Sequence, residues 1–393
     1  MDDRISLLPN ETICHILSFL PTEDVYATSV LSKRWIPLYL SVPTLDIDDK
    51  RFVSSGKSYS NFMMMVCATL FAQMVPRYIE KKIGLRKVRI SLYGGVEPSL
   101  FEKSLTAVAE RGMEHLDLLL IVPQSPCYIL SFRNLVVLKL KVISFREFPI
   151  TIDLASLKIL HLFRVYFKER WYLAEFLNGC PILEEIEAKD LSLKYDWGFH
   201  EQKGKFKKMH ECGFHEHKEK FKKLPNLVKA NLINLVPFYF TPPLTALCNV
   251  QFLRLEEVYD RAVFSNLTHL ELVFGTTGAD WYMVYGMLND CPNLQNFVFD
   301  KPPLSESFDA GWYEQMELRV VPKCFSSQFR KCTIKNYRYE FGFVKYIMQN
   351  STSLRCMALY TPASLDDPFE KLEILNELFS IRERTSTYEI VFI

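Results

Sequence analysis

The stretch LSFRNLVVLKLKVISF, residues 130–145, decides how the rest of the chain is read. Leu135, Leu138 and Leu140 fall at the spacing Leu-x-x-Leu-x-Leu, and Leu138 and Leu140 alternate with Lys139 and Lys141 at the period of a strand. The leucines therefore enter one face and the lysines leave by the other. So short a strand cannot cover its own apolar side and requires an equivalent strand next to it.

Equivalents recur on both sides, as Leu85-Val88-Ile90, Met113-Leu116-Leu118, Leu157-Leu160-Leu162, Leu183-Ile186-Ala188, Leu227-Ala230-Leu232, Val250-Leu253-Leu255, Leu267-Leu270-Leu272, Leu294-Phe297-Phe299, Phe329-Cys332-Ile334 and Leu354-Met357-Leu359. Most first positions are 22 to 28 residues apart, while steps of 44 and 35 residues mark insertions. One strand and one returning helix or loop fill such a step, which is the leucine-rich-repeat signature. The expected fold class is α/β, a curved solenoid over residues 85–311, against the competing reading of an ordinary α/β domain with leucine-rich strands. Asn178-Gly179-Cys180-Pro181 and Asn289-Asp290-Cys291-Pro292 read as the ends of returning helices, and Asn350 repeats the position.

Residues 1–45 have a different grammar. Pro9 opens a helix whose face carries Ile13, Ile16, Leu17 and Leu20, and Pro21 stops it. Thr22 is the expected cap of a second helix, with Glu23 and Asp24 in its first turn and Ala27, Val30 and Leu31 on its apolar stripe. Ser32 offers a cap for a third, carrying Trp35, Leu38 and Tyr39 and shortened by Pro37. Three helices of this size bury too little to be comfortable alone. Leu8-Pro9-x-Glu11, Ile16-Leu17-Ser18-x-Leu20-Pro21, Thr28-Ser29-Val30-Leu31-Ser32-x-Arg34-Trp35 and Ser41-Val42-Pro43 resemble the F-box in its plant form. The alternative is a helical cap on the following domain.

The resemblance widens along the chain. LSFRNLVVLKLKVISF, ASLKILHLFRVYF (residues 155–167) and FLNGCPILEEIEA (residues 176–188) look like the repeats of plant F-box, leucine-rich-repeat proteins. The segment 312–393 resembles the FBD module that closes many of them, although that module's tryptophan-glycine core is missing. Residues 46–84 are expected to be a linker with a core helix at Phe62–Val75.

The resemblance implies docking to a Skp-family adaptor and, through it, to a cullin and a RING protein. The adaptor-binding candidates it carries are Leu8, Pro9, Ile13, Ile16, Leu17, Leu20, Val30, Leu31 and Trp35. Its function would be that of the substrate-recognition subunit of an SCF-type E3 ubiquitin ligase, or alternatively of a protein-interaction scaffold that promotes no ubiquitylation. Candidate target-binding residues come from the strand pattern, as the outward position between the last two leucines: Arg89, Asp117, Lys139, His161, Glu187, Asn231, Arg254 and Glu271.

Composition narrows the classes. Lys and Arg total 47 against 46 Asp and Glu, so no global field draws the chain to nucleic acid or an anionic membrane. Ten cysteines without a CxxC pair read as reduced thiols of cytoplasm or nucleus. The Phe62–Val75 run is too short to span a bilayer. A local duplication, Gly198–Lys208 and Gly213–Lys223, agrees at nine of eleven positions and sets eight lysines against four glutamates over 198–223. Its expected form is a solvated basic loop, with contact to acidic protein or nucleic acid, or an import signal, as alternatives. His200, His210, His215, His217 and Cys212 lie in it, but neither HExxH nor CxxC spacing is present, so no metal is assigned. Gly56-Lys57-Ser58 echoes a phosphate loop whose required glycine is Arg51. GxGxxG and GxSxG do not occur, and neither catalysis nor a cofactor is expected of this chain.

Overall fold

The computed structural model describes the chain apart from residues 1–4, 6, 51–65, 67–84, 95–97, 122–124, 150, 170, 194–220, 237–241, 257, 259, 275–280, 301–320, 338–340, 363–367 and 382–387. The lysine-rich duplication, apart from residues 221–223, most of the Phe62–Val75 run and most of the second insertion lie outside the described residues. No helix among the described residues is long and apolar enough to cross a membrane. The chain divides into two compact units, Met1–Lys222 with Leu235–Phe240, and Lys223–Asn234 with Thr241–Ile393.

The first unit begins with three short helices, α1 (Asn10–Leu17), α2 (Thr22–Ala27) and α3 (Trp35–Leu40), with a 3-10 turn at Thr28–Val30. Pro9 and Pro21 each sit immediately before a helix, and neither helix has a side-chain cap. Thr22, expected as a cap, instead accepts the Asp46 N–H at 2.8 Å. Thr44 Oγ1 donates to the Ser18 carbonyl at 3.1 Å, so both threonines tie the helices to the strand that follows. Ser32 contributes its backbone carbonyl, not its hydroxyl, to the Trp35 N–H at 3.0 Å.

That strand is β1 (Thr44–Asp48), which falls where the sequence suggested the boundary of a linker. It pairs in parallel with β2 (Lys87–Leu92), and after helix α4 (Pro98–Ala109) β2 pairs in parallel with β3 (His115–Leu120). β4 (Val137–Lys141), the two-residue β5 (Ser144–Phe145), β6 (Ile159–Phe163), the two-residue β7 (Tyr166–Phe167), helix α5 (Tyr172–Asn178) and β8 (Glu185–Leu193) complete the unit. The long strands pair in the order β1-β2-β3-β4-β6-β8. Register puts Leu45, Val88, Leu116, Leu138, Leu160 and Ile186 in one row and Ile47, Ile90, Leu118, Leu140, Leu162 and Ala188 in the next. Both rows are buried, the result expected when each strand's apolar face is covered only by its neighbours.

The second unit repeats this arrangement. β9 (Lys229–Val236) pairs through its first residues with β10 (Phe252–Glu256), then β11 (His269–Val273), helix α6 (Trp281–Asn289), β12 (Asn296–Asp300), helix α7 (Lys323–Ser327), β13 (Lys331–Lys335), helix α8 (Phe341–Asn350), β14 (Cys356–Tyr360), helix α9 (Pro368–Ile381) and β15 (Glu389–Phe392) follow. The strands from β9 to β15 pair in sequence order, all in parallel. β15 carries no repeat motif and was not expected, but Ile390 and Phe392 extend the rows of Met357 and Leu359.

Helices α5, α6 and α8 end on Asn178, Asn289 and Asn350, as the repeated Asn suggested. Asn289 and Asn350 donate from Nδ2 to the carbonyl four residues earlier, at 3.1 and 2.8 Å. Asn178 differs: its Oδ1 accepts the Lys222 N–H at 2.9 Å and so holds the point where the chain returns from the duplicated insertion. Cys180 and Cys291 follow these helix ends fully buried, and burial pushes both thiols up, Cys180 to about 12. The described cysteines are all free.

Candidate functional site

Two surfaces carry the candidate residues. The first is the helical bundle. Ile13, Cys14, Leu17, Val25, Trp35, Leu38 and Val42 form its core, with Leu8 and Tyr39 packed against it. Ile13, Leu17 and Trp35 therefore face inward and support the surface, whereas Pro9, Ile16, Leu20, Val30 and Leu31 are exposed. Leu7, Phe19, Tyr26 and Ile36 are exposed as well, and motif matching did not single them out. The signal that finds them is an apolar residue off the buried stripe of an amphipathic helix. Val30 is 85% exposed, Leu7 81% and Phe19 75%. Several large apolar side chains left exposed on one small bundle are the kind of feature that proteins use to bind partners.

Arg34 ties the start of α3 to the start of α1. Its Nη2 donates to the Leu8 carbonyl at 2.5 Å and to Asn10 Oδ1 at 2.7 Å, and its Nε donates to the same Oδ1 at 3.0 Å. The start of α3 is thereby held against the start of α1.

The second surface is the outward face of the strands. In the first unit, register aligns Asp46, Arg89, Asp117, Lys139, His161 and Glu187 in one row between the two buried rows. All are at least partly exposed. Formal charge alternates along the row from Asp46 to Lys139, and neighbours neutralise one another. Arg89 Nη1 is 3.2 Å from Asp46 Oδ2, and Asp117 Oδ1 is 2.9 Å from Lys141 Nζ on the adjacent strand. Lys139 has no ion pair among the described residues. A row of this kind is unlike the predominantly basic surface that nucleic acid requires.

His161 lies between two carboxylates, with Nε2 3.0 Å from Glu185 Oε1 and Nδ1 3.8 Å from Glu187 Oε2. Donor atoms of these three residues lie within 4.8 Å of one another, the one grouping of metal-ligand type found among the described residues. The two carboxylates address opposite ring nitrogens, however, and one ion can take only one of these.

In the second unit, Asn231, Arg254 and Glu271 are register partners. Arg254 Nε lies 3.0 Å from Glu271 Oε2, as an ion contact without the alignment of a hydrogen bond. His269 Nε2 is 3.4 Å from Glu271 Oε1, and the His269 ring stacks on Phe252 at 4.7 Å between centroids. The His269 hydrogen bond, assisted by Arg254 and Lys335, holds the Glu271 carboxyl below its usual range, although partial burial works the other way. The eight outward residues thus fall into two groups, five aligned in the first unit and three in the second.

Comparison with known proteins completes the description. The F-box domain family model matches residues 5–36, and the FBD family model matches residues 315–359. A putative F-box/FBD/LRR-repeat protein of Arabidopsis thaliana is 26% identical over 98% of this chain and 98% of its own length. An F-box/FBD/LRR-repeat protein of the same plant is 27% identical over 99% of this chain and all (100%) of its own. An F-box/LRR-repeat protein, also from Arabidopsis thaliana, is 29% identical over 76% of this chain and 91% of its own. With its N-terminal F-box match, its ordered parallel strands and its FBD match, the chain is similar over nearly its whole length to plant F-box/FBD/LRR-repeat proteins.

Proposed function

We propose that this protein is the substrate-recognition subunit of an SCF-type ubiquitin ligase. Residues 1–45 dock a Skp-family adaptor, and through it a cullin and a RING protein. Residues 85–311 form a curved repeat solenoid whose strand face receives a target protein, and residues 312–393 close it. The chain itself is non-catalytic: it raises the local concentration of target beside a charged conjugating enzyme. The observation that carries this reading is that, within the F-box match, Ile13, Leu17 and Trp35 close a core while Val30 and Leu7 remain 85% and 81% exposed. Aliphatic anchors of this kind lose about 2 kcal/mol or more of binding when truncated at an interface centre. Work in the cytoplasm or nucleus fits free, buried thiols.

The test is co-purification with a Skp-family adaptor and a cullin, followed by a ubiquitylation assay on captured targets. Stable capture of both partners with chain-dependent ubiquitin transfer is expected. Adaptor binding without transfer would make the protein a scaffold, and failure to bind the adaptor would remove the docking assignment.

A further inference from the structure

We propose that Arg34 is the positioning residue of the docking surface, a guanidinium clamp that holds Leu8 and Asn10 to the start of α3, just after the exposed Val30 and Leu31 in sequence. The inference rests on the docking reading above and goes further, since it names what gives that surface its shape.

The argument begins with what the N-terminal segment lacks. α1 has no side-chain cap, and Pro9 brings no N–H of its own. The Leu8 carbonyl lies outside the helical ladder, whose first bond runs from the Ile13 N–H to the Pro9 carbonyl at 3.1 Å. Leu8 is restricted by the proline that follows it and packs its side chain against the core. Among the described residues, one backbone bond, Leu8 N–H to the Ile5 carbonyl at 3.1 Å, shapes the turn before it. Those contacts by themselves, among the described residues, do not set the direction of Leu7 and Pro9.

Arg34 supplies the missing constraint. Trp35, next in sequence and buried in the core, fixes the backbone from which Arg34 projects. Three hydrogen bonds then bind its planar fork to Leu8 and Asn10, 26 and 24 residues away. A guanidinium presents donors in a fixed fork, so the bonds set orientation as well as distance, and an ammonium cannot reproduce them. The residues it joins adjoin exposed apolar side chains in sequence, Leu7 next to Leu8 on one side and Val30 and Leu31 just before Arg34 on the other. Holding them in one arrangement before binding removes an ordering cost from association.

The test uses the full-length chain and a purified Skp-family adaptor. Arg34→Lys and Arg34→Ala are expected to weaken adaptor affinity on the order of tenfold or more, because charge-assisted bonds are lost and the segment must be ordered on binding. Asn10→Asp keeps an acceptor for the same fork and should retain wild-type affinity, whereas Asn10→Ala should lose part of it. Combining Asn10→Ala with Arg34→Ala should cost no more than Arg34→Ala alone. Hydrogen exchange separates positioning from folding: the amides of Leu7, Leu8 and Asn10 should exchange faster in the uncomplexed Arg34→Lys protein, while those of Ile13–Leu17 keep their protection. Wild-type affinity in both Arg34 variants, or loss of protection throughout α1, would overturn the clamp and leave the docking reading standing. A wild-type chain that binds no adaptor would overturn the docking reading itself.

Discussion

Arg261 reaches the carboxylate of Asp290 with two bonds, Nε to Oδ2 and Nη2 to Oδ1, each 2.8 Å long. Asp290 follows the last residue of α6, where a negative charge meets the negative end of the helix dipole, and the guanidinium offsets that conflict. The same Nη2 lies 3.4 Å from the Gly286 carbonyl. Arg261→Ala should therefore destabilise the second unit by about 1–3 kcal/mol, the cost of leaving a largely buried carboxylate without its partner. Urea denaturation followed by a probe in that unit checks it.

Gly286 is part of the same contact. A Cβ built there would lie 3.2 Å from Arg261 Nε and 3.3 Å from its Cζ, while an alanine inside a helix gains about 1 kcal/mol over glycine. The two effects oppose each other in the wild-type background, so Gly286→Ala should be near neutral there. In the Arg261→Ala background the obstruction is gone, and the same substitution should stabilise by roughly 0.5–1 kcal/mol. Equal effects in both backgrounds would show that the guanidinium does not feel the added methyl.

At the end of α5 an added methyl has the opposite effect. Gly179 has an ordinary φ of −79°, but a Cβ there would fall 2.4 Å from Ile152 Cγ2 and 2.8 Å from Ile152 Cβ. The glycine is required by close approach and not by a left-handed cap. Gly179→Ala is expected to cost about 1–3 kcal/mol as an overpacked contact. Ile152→Ala should recover part of that loss when the two are combined, which a thermal or denaturant double-mutant cycle measures.

Val142 sits just after β4 with φ of 58°, a left-handed conformation unfavourable to a β-branched residue. Asp190 within β8, Asn234 within β9 and Asn336 just after β13 have φ of 57°, 53° and 57°, and these are residue types that tolerate it. Val142→Asn should stabilise by about 1 kcal/mol, reduced by whatever partial burial the valine loses. An unchanged or lower denaturation midpoint would argue that the packing of Val142 outweighs its backbone strain.

Glu271 gives the pH dependence its sign. Its folded pKa is depressed, first by the hydrogen bond from His269, so the stability it contributes is present above the unfolded carboxylate range and is lost as pH falls through the folded value. The second unit should lose stability as pH drops below about 4.5, and Glu271→Gln should flatten that part of the profile. A profile identical to wild type would remove Glu271 from the acid transition. In the first unit, Lys139→Glu tests the proposed target capture more cleanly than a change at Arg254, because Arg254 already contacts Glu271 and its loss would disturb the strand face.

The sequence by itself determined the strands and their buried rows. A leucine at every second position has only one face to hide and only a neighbouring repeat to hide it against, so period alone led from Leu135-Leu138-Leu140 to β4 and its equivalents. It also placed the three N-terminal helices, through Pro9, Pro21 and an apolar spacing of one helical face. Tertiary structure alone decided the rest. β1 and β15 carry no motif and become strands because β2 and β14 offer open edges to pair with. Thr22 bonds Asp46 instead of capping, a choice made by the arrival of a strand from outside the helix. Which apolar F-box residues face solvent depends on how three helices cross, and the Arg34 clamp joins positions 24 and 26 residues apart that no local pattern connects. Periodicity reports what a residue does within its own element. Partnerships between distant elements depend on packing, and packing is specified by the whole chain at once.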